Sequence, residues 1–381
     1  MASSGSSSAS RWVAIDLLRL ARQRFPAYVQ VQPIGLGANG EALWTARQPD
    51  SPPHVFAWRN GKSRDLGSFG QPDDVPVAVN DRGQIAVSRF FVPAGLIART
   101  QLPPPPRAFL WQNGQLTDLG TLGGKGSFAV AINDQGEIAG WSSVSASGRG
   151  PVAHAFLWRN GKLTDLGTLG GLWSEPTAID DRGEIVGSSA TRDGSSHAFL
   201  WRDGKMTDLG TLGGRDSEAL AINEHGEVLG LSSTARSKEM LRPFVWRNGK
   251  TTELGTSIDP DRLTTTINES GVVTGTAGTL ESPRGFVWQN GKVSLFGKVA
   301  GQAAEPTAMN DRGQIVGGTV GPGLRSHAFL WQHGFLTRLP SPRLALTPRV
   351  WISQDGKRIL AVSEALGGLR RKVLLWTRKS L

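Results

Sequence analysis

Two short apolar patterns recur along the chain, each folded back at a polar turn. In the first, Ala155-Phe156-Leu157-Trp158 runs into Arg159-Asn160-Gly161 and returns as Lys162-Leu163-Thr164-Asp165-Leu166. Asn-Gly between two such runs predicts a two-residue hairpin, because both residues tolerate the positive φ that the turn needs. In the second, Thr177-Ala178-Ile179 turns at Asp181-Arg182-Gly183 and returns as Glu184-Ile185-Val186-Gly187. Asp accepts local backbone N–H groups there, and Gly closes the turn. Four strands make one unit, a and b around Asp-x-Gly and c and d around Asn-Gly. Phe156 and Trp158 point to one face of strand c, Ala155 and Leu157 to the other. Both faces are apolar, as in a sheet packed between two others. Strand b carries Gly140, Gly187, Gly230, Gly275 and Gly317 at one position, which predicts a bulge or a close backbone approach.

The spacing is as informative as the letters. The motif Trp stands at Trp58, Trp111, Trp158, Trp201, Trp246, Trp288, Trp331 and Trp376, and the turn Gly at Gly83, Gly136, Gly183, Gly226, Gly271, Gly313 and Gly356. Every Trp-to-Gly interval is 25 residues, as from Trp58 to Gly83. The return from Gly to Trp varies, from 17 residues (Gly271 to Trp288) to 28 (Gly83 to Trp111). One half of the unit is therefore geometrically fixed, and the other holds a loop that tolerates insertion. Four strands in about 45 residues is the period of a propeller blade. The expected fold is all-β, a β-propeller of eight four-stranded antiparallel blades, with seven as the alternative.

Counting strands tests closure. From a degenerate first turn at Gly40 to a last strand c at Leu374-Leu375-Trp376 there are thirty-one strands, one short of eight full blades. Val13-Ala14-Ile15-Asp16-Leu17 matches strand d and is expected to supply the missing strand, which removes the open sheet edges. A short amphipathic helix through Arg24 competes for residues 11–25. Residues 1–10 form a Ser-rich tail that cannot bury apolar surface and is expected to be disordered. Residues 26–381 then make one propeller domain of about eight repeats.

The His-Ala-Phe-Leu-Trp segments at His154 and His197, the Asp-Leu-Gly-Thr-Leu-Gly-Gly runs at Asp118, Asp165 and Asp208, and the Ala-Ile-Asn-Asp-x-Gly hairpins resemble the bacterial HAF repeat family. The resemblance covers nearly the whole chain from about residue 31. It implies an extracellular or cell-surface repeat protein and brings no catalytic residues with it. Leu374 in place of the motif Phe, and Ala38-Asn39 in place of Asn-Asp, mark end copies adapted to closure.

Composition narrows the chemistry. There is no Cys, so thiolate metal sites, disulfides and a Cys nucleophile are excluded. No apolar run reaches the roughly 18 residues of a membrane helix, and no convincing signal peptide opens the chain. No Gly-x-Ser-x-Gly, Walker-type or His-Glu-x-x-His motif occurs. Asn133-Asp134 with Gly136 offers too few carboxylates for calcium. No metal and no cofactor is expected. Lys and Arg number 42 against 32 Asp and Glu, a net charge of +10. Arg59, Lys62, Arg159, Lys162, Arg202, Lys205, Arg247, Lys250 and Lys292 flank the Asn-Gly turns, with Arg82, Arg182 and Arg312 in the other turns, so a polyanion could be attracted to that face, although Asp81, Asp181 and Asp311 dilute the charge. No nucleic-acid module accompanies them, and nucleic acid is not an expected partner.

The variable b–c loops and the d–a connections share the opposite face, and loops carry function more often than scaffold strands. Trp141, Trp173, Phe90 and Phe91 lie there outside the repeated columns, and are the candidate ligand-binding residues for a glycan or a protein partner. The leading expectation is a non-enzymatic binding scaffold at the cell surface or outside the cell. The alternatives are a carbohydrate-active enzyme, which needs a carboxylate pair, and a polyanion binder. Glu175 and Glu218 occupy corresponding connections, as do Glu305 and Asp74 approximately, and their repetition reads as structural.

Overall fold

The computed structural model describes residues 12–17, 19, 30–36, 41–48, 51–59, 62–90, 105–144, 152–235, 237–256, 265–278, 283–299, 301–320, 326–340, 349–364 and 371–378. The Ser-rich residues 1–10, Phe91 and most of the proline-bearing insertion lie outside them. The fold is an eight-bladed β-propeller of antiparallel sheets. The blades span 30–68, 74–118, 123–165, 170–208, 213–253, 266–295, 298–338 and 349–378. In each, the strands pair in the order a, b, c, d, and the seventh blade has one additional two-residue strand, Lys298–Val299.

Strand a of every blade touches strand a of the next, and the eighth touches the first. The a strands therefore form the inner wall of a closed ring, and the d strands lie at the rim. The eighth blade takes its d strand from Trp12–Asp16, which pairs antiparallel with Arg371–Arg378. Asp16 stands opposite Leu374 as Asp165 stands opposite Phe156 in the third blade. The expected ring closure is thus present in the register that the motif implies. Leu17, just past this strand, is buried.

The repeated letters have structural roles. Asn160 and Gly161 both adopt positive φ, 51° and 79°, as the tight c–d hairpin requires. A Cβ at Gly140 or Gly187 would collide with the strand-a carbonyl of Phe128 or Glu175, and a register shift on strand a lies beside each. His154 and His197 at the start of strand c pair with Asp165 and Asp208 at the end of strand d, at 2.9 and 2.8 Å. The same aspartates accept the N–H of Gly167 and Gly210 and so shape the exit turns. The motif Trp and Phe are core. Leu157 and Ala155 of the third blade join Phe199 and Trp201 of the fourth in one apolar cluster.

Polar side chains bind neighbouring blades as well. Asn80 donates to the Asn133 carbonyl, Asn133 to that of Asp180, Asn223 to Asn268, Asn268 to Asn310 and Asn310 to Ser353. At the rim side of the inner wall, Ser174 accepts the Ala155 N–H at 2.8 Å, and Ser217 accepts that of Ala198 at 3.0 Å.

Candidate functional site

The a strands begin on the face that carries the b–c loops. Where the fourth and fifth blades meet on that face, a cavity of about 490 Å³ opens. Trp173, Glu175 and Thr177 reach it from Gly170–Ile179, and Asp216, Ser217 and Glu218 from Gly213–Ile222. Ser188, Ser196, Leu231 and Leu241 complete the lining. Its volume is that of a small-molecule or glycan site, with a few polar groups on a partly apolar wall.

The wall is fixed from both blades. Thr177 Oγ1 donates across the boundary to the Ala219 carbonyl at 2.7 Å. The Ser196 N–H donates to Asp216 Oδ1 at 3.0 Å, which ties a b–c loop of the fourth blade to the fifth. Glu218 stands opposite the fully buried Leu231 and between the buried Ser217 and Ala219. Burial pushes its carboxyl above the usual carboxylate range. Glu175 stands opposite Ser188 instead and is exposed. Two carboxyl groups at corresponding positions thus meet one cavity in different surroundings, one desolvated and one open to water. Trp173 stands at the rim, 38% exposed, its indole available to a ligand.

The register places these glutamates at one point of strand a. The position that holds Glu175 and Glu218 holds Gln32 in the first blade, Val75 in the second, Phe128 in the third and Glu305 in the seventh. It is a variable position on a fixed scaffold. Asp74 lies one register step away, opposite Arg89, and is spent in a two-point ion pair with it at 2.6 and 3.0 Å.

The four candidate aromatics do not come together. Trp173 alone lines the cavity. Trp141 stacks on Phe128 at 5.6 Å with 17° between the rings, and Phe90 packs on Phe128 at 5.1 Å. That ladder joins the second and third blades, with Phe90 43% exposed at its end. Phe91 lies outside the described residues. Asp216 was not singled out in the sequence; its only signal is that it replaces Gly126 and Trp173 of the preceding blades.

Part of the charge on the basic turn face is paired. Arg159 pairs with Glu137, Arg202 with Glu184 at 2.8 Å and Arg247 with Glu227. Arg182 is shared between Asp180 and Glu184, both at 2.9 Å. The Glu–Arg pairs join strand b to strand c at the turns, while Lys62, Lys162, Lys205, Lys250 and Lys292 stand exposed around them. Among the described residues, no three His, Asp or Glu side chains gather as a metal ion needs, and no helix is long and apolar enough to cross a membrane.

No family model matches the chain, and no curated protein matches it. Solved propellers do. A puromycin-hydrolyzing peptidase of Mycobacterium tuberculosis is similar over 93% of this chain, with 13% identity and a TM-score of 0.50; the chain spans 61% of that protein. The propeller domain of the Trilobed protease from Pyrococcus furiosus is similar over 81% of this chain and 97% of its own, with 12% identity and a TM-score of 0.50. An oligogalacturonate lyase from Vibrio parahaemolyticus covers 92% of this chain and 89% of its own at 8% identity and a TM-score of 0.48. At such identities the likeness establishes the propeller fold. The expected non-enzymatic binding scaffold is nevertheless corrected: the two propellers similar at a TM-score of 0.50 belong to proteins named as a peptidase and a protease, and the loop face carries a cavity with two differently held carboxyl groups.

Proposed function

We propose that the protein is a carbohydrate-active enzyme that cleaves a glycosidic bond in the cavity between its fourth and fifth blades. The observation that carries this reading is the pair Glu175 and Glu218, presented to one cavity by neighbouring a strands. Glycoside hydrolysis needs one carboxylic acid to protonate the leaving oxygen and one carboxylate to assist attack on the sugar. Glu218, whose carboxyl burial pushes above the usual carboxylate range, is assigned as the acid. Glu175, exposed beside it, is the carboxylate. Glu218 gives its proton to the glycosidic oxygen as the C–O bond breaks. A water attacks the anomeric carbon and yields its proton to Glu175, so one water is added per bond cleaved. Trp173 offers an apolar ring face on which a sugar can stack, and Ser188, Ser196 and Thr177 offer hydroxyls around it.

The test is release of reducing ends from a panel of oligosaccharides by the intact chain, Glu218→Gln and Glu175→Gln. Release by the parent and its loss in both variants, with unchanged melting, supports the reading. Release of equal size in all three proteins, or none from any glycan, overturns it.

A further inference from the structure

The cavity has a charge character opposite to that of the molecule. The chain carries +10 overall, yet Glu175, Asp216 and Glu218 line the cavity and no Lys, Arg or His does so among the described residues. Asp216 is held in place through one oxygen by the Ser196 N–H, which leaves its second oxygen as an acceptor. Trp173 adds the face of an indole, the ring best suited to attract a cation.

From this lining we infer that the substrate presents a cationic sugar to the cavity, a hexosamine with a free amino group, and that uronates and sulfated sugars are rejected. The inference rests on reading this cavity as the substrate site. An ammonium on the ring meets at least one carboxylate and an aromatic face together. Hydrogen bonds between charged partners are about twice as strong as neutral ones. A uronate brings its own carboxylate against the same wall with no cation to receive it, and like charges in a partly desolvated site repel. The positive surface draws acidic glycans toward the molecule at long range, while the cavity selects against them at contact. Attraction to the surface and acceptance by the site are therefore separate properties, with opposite charge preference.

Two measurements test it. Binding of glucosamine oligosaccharides, their N-acetylated counterparts and oligogalacturonates to Glu218→Gln is measured by calorimetry at moderate salt. The amino form is expected to bind at least about tenfold more tightly than the N-acetylated form. Asp216→Asn should remove most of that preference without lowering the melting temperature. Equal binding of the amino and N-acetylated forms, tighter binding of oligogalacturonate, or a preference untouched by Asp216→Asn overturns the inference. The second measurement is bond cleavage by the intact chain. Cleavage of neutral glycans without amino preference defeats this inference and leaves the enzyme reading standing. Tight amino-sugar binding without cleavage of any bond supports the inference and defeats the enzyme reading.

Discussion

Asn133 Nδ2 donates to the carbonyl oxygen of Asp180 at 2.8 Å, and so joins the third blade to the fourth at the floor of the ring. The same side chain accepts two N–H groups of its own turn, from Gln135 and Glu137. One amide therefore shapes the a–b hairpin and fastens it to the next blade. Asn133→Ala should cost about 1–2 kcal/mol, the loss of buried hydrogen bonds with their partners left in place. Chemical denaturation of the variant measures it.

Asp180 occupies the Asn position of the fourth blade and has no amide to donate onward. Burial is the largest influence on its carboxyl and raises it above 3.8, against lowering by the Glu184 N–H and Arg182. A raised carboxyl favours folding in its neutral form. The stability it contributes is full below the unfolded value and is lost as pH rises through the folded one. Asp180→Asn should therefore melt higher than the parent at pH 7 and lose that advantage near pH 3. Melting curves at both values check it.

The fastening of strand b to strand c is a Glu–Arg pair in three successive blades, Glu137–Arg159, Glu184–Arg202 and Glu227–Arg247. In the second and seventh blades it is a pair of glutamines, Gln84–Gln112 at 3.1 Å and Gln314–Gln332 at 2.9 Å. Because Arg159 is nearly half exposed, Glu137→Gln alone should cost no more than about 1 kcal/mol. Glu137→Gln with Arg159→Gln should recover most of it by rebuilding the glutamine pair. A double-mutant cycle read by thermal unfolding decides this.

Glu218→Gln should lower the rate of glycan cleavage by about 10²–10⁴-fold, the usual contribution of a positioned acid. A general acid must carry its proton, so the parent's rate should fall as pH rises through the Glu218 value. With that value raised by burial, the alkaline limb should lie above the ordinary carboxylate range. A pH profile of kcat/KM with its limb at or below that range counts against the assignment.

Removing residues 1–16 takes away the Trp12–Asp16 strand and exposes the edge of Arg371–Arg378. The truncated chain should melt lower and self-associate through the open edge. Calorimetry and size-exclusion chromatography report the two effects.

The scaffold was legible because it is written eight times. The constant Trp-to-Gly interval, the Asn-Gly and Asp-x-Gly turns and the match between Asp16 and Asp165 lead to the ring and to its closing register. The cavity was not legible for the same reason. Glu175 and Glu218 sit at matching points of adjacent copies, so in a line of text they look like one more repeat. Only the strand register reveals Gln32, Val75 and Phe128 at the same point. Asp216 becomes part of the site by contact with Ser196 in the preceding blade, a proximity that arises when the ring closes neighbouring sheets on one another. Trp141 and Trp173 were indistinguishable as exposed indoles near the loop face. Phe128 as a stacking partner separates them.

In the eighth blade, Trp12 faces Arg378 across the ladder as Lys162 faces Arg159 in the third. Residues 12 and 378 therefore stand where the third blade has its Asn160-Gly161 turn, as though one hairpin had been cut. Joining residue 378 to residue 12 through two residues would restore that hairpin and give a cyclic chain. New ends could then be opened in any b–c loop without breaking a sheet. The cut also sets the mechanical weak point. A pull on residues 12 and 378 would load that pair first and peel the ladder one rung at a time.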